Sequence, residues 1–219
     1  MNSNQMTAQA RIDAILSRAT VLPVLRIDRI EDAVPLARTL VDAGLPVLEV
    51  TLRSDIALDA IRRIADAVPS ACVGAGTVLN PAQLAAVAAA GAAFAISPGA
   101  TDALYDAAAA STLPWIPAAA TASELMRGVE RGHRRFKFFP AELAGGVGAL
   151  RAFAGPFADV LFCPTGGIDA DNAPGYLRLP NVITVGGSWM VPGQALAAGD
   201  WARIGELARQ CIGLRTPAP

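Results

Sequence analysis

Eight short runs rich in Val, Ile and Phe recur along the chain, most of them followed by an alanine-rich stretch with helical spacing. This alternation constrains the fold more than any other feature. In order, the runs are VLPVLRI (21–27), VLEVTLR (47–53), ACVGAGTV (71–78), AFAISP (93–98), PWIPAA (114–119), RFKFFP (135–140), DVLFCPTGG (159–167) and VITVGGS (182–188). Between them lie helical runs such as EDAVPLARTLVDAG, IALDAIRRIADAV, PAQLAAVAAAG, TDALYDAAAAS and TASELMRGVERG, with Gly or Pro at the joints. Strict strand–helix alternation at about 20–25 residues per unit predicts an α/β fold with a parallel sheet buried on both faces. Eight units allow a closed (β/α)₈ TIM barrel, whereas a doubly wound open sheet usually has about five to seven strands. The run ALAAGDWARIGELARQCIGL is expected to close the ring as the eighth helix, and ARIDAILSRA supplies an extra N-terminal helix before the first strand. With no linker, low-complexity segment or charge run to divide it, the chain of 219 residues reads as a single barrel domain over 1–219, with residues 1–8 as a flexible tail.

Composition narrows the partners. The chain is 53% hydrophobic, but its apolar runs are broken every few residues by Asp, Arg, Pro or Gly and none approaches the ~20 residues of a spanning helix. No membrane association is expected. The N-terminus lacks the basic region and apolar core of a secretory signal, so a cytoplasmic location is expected. A net charge of −1 and a pI near 5.8 argue against nucleic acid as a partner. The one basic cluster, Arg131, His133, Arg134 and Arg135, reads as a solvated turn before a strand. Three widely spaced cysteines, Cys72, Cys163 and Cys211, read as buried thiols in a reducing compartment. A lone histidine and no ligand-spaced cluster leave no metal and no cofactor to expect.

One residue stands apart. Of the 18 Lys and Arg only Lys137 is a lysine, leaving 17 arginines, and it sits among Phe136, Phe138 and Phe139. Alternate strand residues face a barrel's interior and their neighbours face the helices. Leu48, Val50 and Leu52 form the apolar, helix-facing side of the second strand, which turns Glu49, Thr51 and Arg53 inward. The same parity turns Lys137 and Phe139 inward and Phe136 and Phe138 outward. Thr77 lies near the C-terminal end of its strand, where (β/α)₈ active sites are built.

A structural reading makes Glu49 and Lys137 an internal salt bridge with Arg53 at the rim, although such pairs are weak contributors to stability and Arg is the better buried partner. The chemical reading is covalent. An amine attacks a carbonyl only when unprotonated, burial favours that form, and a guanidinium cannot reach it. Glu49 would then carry protons, and Arg53 would hold a substrate carboxylate in a bidentate grip. Together these describe a Schiff-base enzyme acting on a 2-keto acid. Thr165-Gly166-Gly167 and Gly186-Gly187-Ser188 end the seventh and eighth strands, after which barrels usually place a phosphate, held by backbone amides. The alternative at these glycines is that they only permit tight turns.

The motifs LEVTLR (48–53), VGAGTVLNP (73–81), FAISPG (94–99), FKFFPAE (136–142), FCPTGGI (162–168) and GGSWMVP (186–192) resemble, in order and spacing, those of the 2-dehydro-3-deoxy-6-phosphogluconate (KDPG) and 4-hydroxy-2-oxoglutarate aldolases. The resemblance covers nearly the whole chain. It implies a (β/α)₈ fold, a homotrimer, and a lyase of the metal-free class I type acting in the Entner–Doudoroff pathway. By motif, Lys137 resembles the Schiff-base lysine and Glu49 the general acid/base. Arg53 and Thr77 resemble the pyruvate carboxylate site, with Pro98 and Phe139 lining the pocket. Thr165 matches a position tied to stereochemistry at the cleaved bond, and Gly166, Gly167, Gly187 and Ser188 match the phosphate end. The implied reaction cleaves KDPG to pyruvate and D-glyceraldehyde 3-phosphate. One run departs from the family pattern: Ala118-Ala119-Ala120 stands where a glycine and a hydroxyl residue are usual, which bears on substrate range. Competing readings are an aldolase for the galactonate-derived epimer or 4-hydroxy-2-oxoglutarate, a phosphosugar isomerase or epimerase on the same barrel, and a non-catalytic barrel that binds phosphometabolites.

Overall fold

The computed structural model describes residues 8–214. The tail expected over 1–8 lies outside them except for Ala8, which opens the first helix. Nine parallel β segments follow in order: β1 (Val21–Leu25), β2 (Val47–Thr51), β3 (Cys72–Gly76), β4 (Ala95–Ile96), β5 (Trp115–Ile116), β6 (Ala118–Ala119), β7 (Arg135–Phe138), β8 (Leu161–Pro164) and β9 (Val185–Gly187). They run as two arcs, β5-β4-β3-β2-β1-β9 and β6-β7-β8. Segments β5 and β6 are halves of one stave, interrupted at Pro117, which has no N–H to give to a ladder. Its carbonyl still accepts the Lys137 amide at 2.9 Å, joining the arcs there. At the other seam, parallel bridges pair Phe162 with Val182 and Thr165 with Gly186. The result is the eight-stave barrel expected from the alternation.

Helices α2 (Ala33–Asp42), α3 (Ala57–Ala67), α4 (Pro81–Ala89), α5 (Asp102–Ala109), α6 (Ala122–Glu130), α7 (Gly146–Phe153) and α8 (Ala173–Leu177) fill the crossovers. Helix α3 shows why: it buries Ala57, Ala60, Ile61 and Ile64, one stripe at helical spacing. Several helix starts are pinned by side chains. Asn80 accepts from the Gln83 amide ahead of Pro81, and Thr121 forms a capping box with Glu124. The closing run is two helices rather than the one expected, α9 (Gly193–Ala198) and α10 (Trp201–Ile212). Gly199 at φ 65° takes the left-handed turn and Asp200 caps α10 through the Arg203 amide.

The strands are shorter than the apolar runs suggested. After Pro164, for example, Gly166 and Gly167 adopt φ of 102° and 76°, conformations that end a strand and favour glycine. Outward residues such as Leu48, Val50, Phe136, Phe138 and Phe162 pack in the layer beneath the helices. Inside the ring, Leu22, Val47, Cys72, Phe94, Ile96, Ile116 and Cys163 form a second cluster, closed from below by Ile12 and Leu16. Those two belong to α1 (Ala8–Leu16), so the extra N-terminal helix is the barrel's bottom plug. Arg135 fixes the plug by two bonds to Asp13, at 2.5 and 3.0 Å, and Arg134 pairs with Asp159. The basic cluster is thus a turn with acidic partners. All three cysteines are buried free thiols, Trp115 is buried, and Trp189 and Trp201 are half-buried. Among the described residues, no helix is long and apolar enough to cross a membrane.

Candidate active site

Glu49 on β2 and Lys137 on β7 stand on the second and sixth staves, on opposite sides of the ring. Two long side chains are needed to meet across it, and they do. Lys137 Nζ donates to Glu49 Oε1 at 2.9 Å, with the side chains 7% and 1% exposed. Glu49 Oε2 is buried and has no hydrogen-bond partner among the described residues. A carboxylate oxygen is an acceptor, so Oε2 can take a proton or a hydroxyl donor. The space for it comes from Gly76, whose missing side chain would overlap Glu49 Oε1 and approach Cγ to 2.7 Å. On the same face of β3, Gly74 makes the same room for the Phe94 ring, which belongs to the interior cluster.

Apart from Glu49, the neighbours of Lys137 are apolar or neutral. Its amine lies 5.5 Å from the centre of the Phe139 ring. Its ladder partners are Ala118 on β6 and Cys163 on β8, which share its inward face. Burial pushes the Cys163 thiol up to about 12, so it stays uncharged beside the amine. The departure at Ala118 therefore places a methyl group on the stave next to the lysine, at the paired position, while the Ala120 amide is spent on Glu124 Oε2.

The other expected residues ring the mouth at the C-terminal ends of the staves. Arg53 does not point into the closed interior as strand parity suggested. The strand ends at Thr51, and Arg53 extends at the rim, exposed, its Nε donating to Thr51 Oγ1 at 3.1 Å. Thr51 is anchored in turn on the Leu25 carbonyl at 2.8 Å. Arg53 and Ser188 line one cleft of about 430 Å³ together with Val24, Leu25 and Arg26. Thr77 follows Gly76 at φ 61°, a strained conformation for a β-branched residue of the kind that clusters at functional sites. Pro98 is half-buried just beyond β4, and Phe139 half-buried just beyond β7.

Thr165 is buried, its amide bonded to the Phe138 carbonyl at 2.9 Å, and a Cβ on Gly186 would overlap its hydroxyl. Gly187 is likewise required to be small by the Trp189 ring. The amides of Gly166, Gly167 and Ser188 donate to no acceptor among the described residues. The sequence does not single out the spacers Gly74 and Gly76, the Phe94 ring, the cleft residues Val24, Leu25 and Arg26, or the anchor role of Thr51. Glycines at inward parity in V-G-A-G were the available signal.

A family model for KDPG and KHG aldolases matches residues 12–207. The KHG/KDPG aldolase of Escherichia coli strain K12 is 56% identical over 200 residues, covering 91% of this chain and 94% of that protein. Among solved structures, a KDPG aldolase of Legionella pneumophila, holding pyruvate captured at low pH as a covalent carbinolamine intermediate, superposes with a TM-score of 0.89 at 46% identity, covering 94% of this chain and 98% of that one. The 2-keto-3-deoxy-6-phosphogluconate aldolase of Zymomonas mobilis ZM4, with 3-phosphoglycerate, gives a TM-score of 0.89 at 47% identity over 94% and 97% of the two chains.

Proposed function

The chain belongs to the KDPG and KHG aldolase family, and from that premise we infer that it cleaves 2-dehydro-3-deoxy-6-phosphogluconate to pyruvate and D-glyceraldehyde 3-phosphate through an imine on its one lysine. The observation that carries this reading is the buried Lys137–Glu49 contact of 2.9 Å at the centre of the barrel. The carbinolamine captured in the Legionella pneumophila aldolase supports the same chemistry here.

In the proposed sequence, neutral Lys137 Nζ adds to the C2 ketone, giving a carbinolamine that loses water to a protonated imine. Glu49, within bonding distance of Nζ, carries the protons of addition and dehydration. The C4 hydroxyl then gives its proton to Glu49 through a water, the C3–C4 bond breaks, and its electrons enter the imine to leave an enamine. D-Glyceraldehyde 3-phosphate departs. Return of a proton to C3 and hydrolysis of the imine release pyruvate and restore the amine. The imine is the electron sink, so no metal is required in this sequence.

Arg53 and Thr77 are assigned to the C1 carboxylate at the rim, and Pro98 and Phe139 to the walls. Thr165 is assigned to the C4 hydroxyl, and the amides of Gly166, Gly167 and Ser188 with the Ser188 hydroxyl to the phosphate, Gly187 keeping the approach clear of a side chain. The relative named as acting on both substrates supports 4-hydroxy-2-oxoglutarate as a second substrate, and the Ala118 methyl beside Lys137 is where range is set. We also infer a cytoplasmic homotrimer, which light scattering would find at about three times the 22.5 kDa chain mass.

The reaction reading is tested by intact-mass and peptide analysis after mixing the protein with pyruvate and sodium borohydride. One adduct on Lys137, absent without pyruvate, is expected. No adduct in folded protein would overturn the imine and favour an isomerase that needs none.

A further inference from the structure

Three consecutive carbonyls after β8 are tied back into the protein. Thr165 O accepts the Ala141 amide at 2.8 Å, Gly166 O accepts the Glu142 amide at 3.1 Å, and Gly167 O accepts Asn172 Nδ2 at 2.8 Å. In a trans peptide the C=O and the following N–H point in opposite directions. The amides of Gly166, Gly167 and Ile168 are therefore all turned away from these anchors, and none donates to an acceptor among the described residues. This is a three-amide nest for an anion. Glycines at φ 102° and 76° could turn such peptides over at little steric cost, so the anchors decide which way the amides face.

The anchors are themselves fixed. Asn172 Oδ1 accepts the Asp169 amide at 3.0 Å, which leaves Nδ2 as the group facing Gly167 O, while the Asn172 amide returns to Asp169 Oδ1 at 3.1 Å. Glu142 is held through its carboxylate by the hydroxyl of the fully buried Tyr176. A Cβ on Gly167 would come within 2.7 Å of Glu142 Cγ, so stem and loop are packed without slack. Burial and the Glu142 carboxylate both push the Tyr176 phenol up, which keeps its donor proton in place.

We propose that Asn172 and the Glu142–Tyr176 pair are positioning residues that set the preference for a phosphorylated substrate by aiming the Gly166, Gly167 and Ile168 amides, without touching the substrate. The proposal rests on the aldolase reading above. Steady-state kinetics of Asn172→Ala and Tyr176→Phe test it, on KDPG and on the unphosphorylated 4-hydroxy-2-oxoglutarate, alongside the rate of borohydride trapping with pyruvate. Asn172→Ala should raise KM for KDPG about tenfold with kcat within about threefold, and leave 4-hydroxy-2-oxoglutarate cleavage and pyruvate trapping unchanged. Tyr176→Phe, which keeps the buried ring, should give the same pattern at about threefold to tenfold. Equal losses on both substrates, or an unchanged KM for KDPG in both variants, would overturn the brace. A wild-type protein that traps pyruvate but fails to cleave KDPG would overturn the parent reading as well, and its own rates tell that failure from this one.

Discussion

Replacing both members of the internal ion pair, Glu49→Leu with Lys137→Met, is expected to leave the barrel about as stable as the wild type, while either replacement alone is costly. At 2.9 Å and an effective dielectric constant of about 20, the attraction is about 6 kcal/mol. Removing an ammonium and a carboxylate from water costs several kcal/mol each, on the order of the same total. The pair therefore contributes little net stability, and apolar side chains of similar size would join the cluster of Phe94, Ile96 and Ile116 below it. Losing one partner is different. It strands a side chain that is 1% or 7% exposed, at about 3–5 kcal/mol, or roughly a 10 °C fall in Tm for a chain of this size. Urea unfolding followed by tryptophan fluorescence and far-UV circular dichroism measures all four proteins. The double variant should lie within about 2 kcal/mol of the wild type and form no pyruvate adduct. A double variant destabilised by the sum of the two singles would refute the reasoning, because the pair would then hold the barrel together and the lysine would need no chemical explanation.

Two further outcomes follow from the same packing. Gly76→Ala inserts a methyl group into the space of the Glu49 carboxylate, so it should lower kcat/KM about a hundredfold through displacement of roughly 1 Å, with a stability loss of about 1–3 kcal/mol; an active, stable variant would mean that Glu49 tolerates another position. Burial pushes the Cys163 thiol up to about 12 and Cys211 up to about 11 from about 9 when unfolded, so the folded state keeps protons that the unfolded chain releases. Their stabilisation is complete below about pH 9 and is lost as the pH rises through 11 to 12, which a urea midpoint falling steadily above pH 9 would show and a flat one would contradict.

Period-two alternation is a local property, which is why parity along LEVTLR and RFKFF brought Glu49 and Lys137 to the same interior before any pairing was known. It failed at Arg53 for the same reason. Parity holds only while the strand lasts, and where β2 stops depends on the turn that follows Thr51. The closing run differs from the single helix expected because a glycine inside a helical pattern is ambiguous; here Gly199 turns left-handed and the adjacent Asp200 caps a new helix. The fifth stave carried its own warning in Pro117, whose missing donor splits the ladder without breaking the barrel.

What could not be read from the sequence was direction. Thr165-Gly166-Gly167 signalled a tight, anion-tolerant turn, but a glycine peptide can present either its amide or its carbonyl to the mouth, and nothing local to those residues chooses. The choice is made by Ala141 and Glu142, more than 20 residues upstream, and by Asn172 on the following turn. Glu142 lies in the same FKFFPAE run as Lys137, so one strand and the loop after it carry the amine and also orient the distant amides. If the substrate's keto and phosphate ends bind at those two places, any shift of β7 moves both contacts together. Substitutions that loosen the Glu142–Tyr176 bond should then act on the KM for a phosphorylated substrate, and ones that displace Lys137 on kcat, two effects that kinetics on paired substrates can separate.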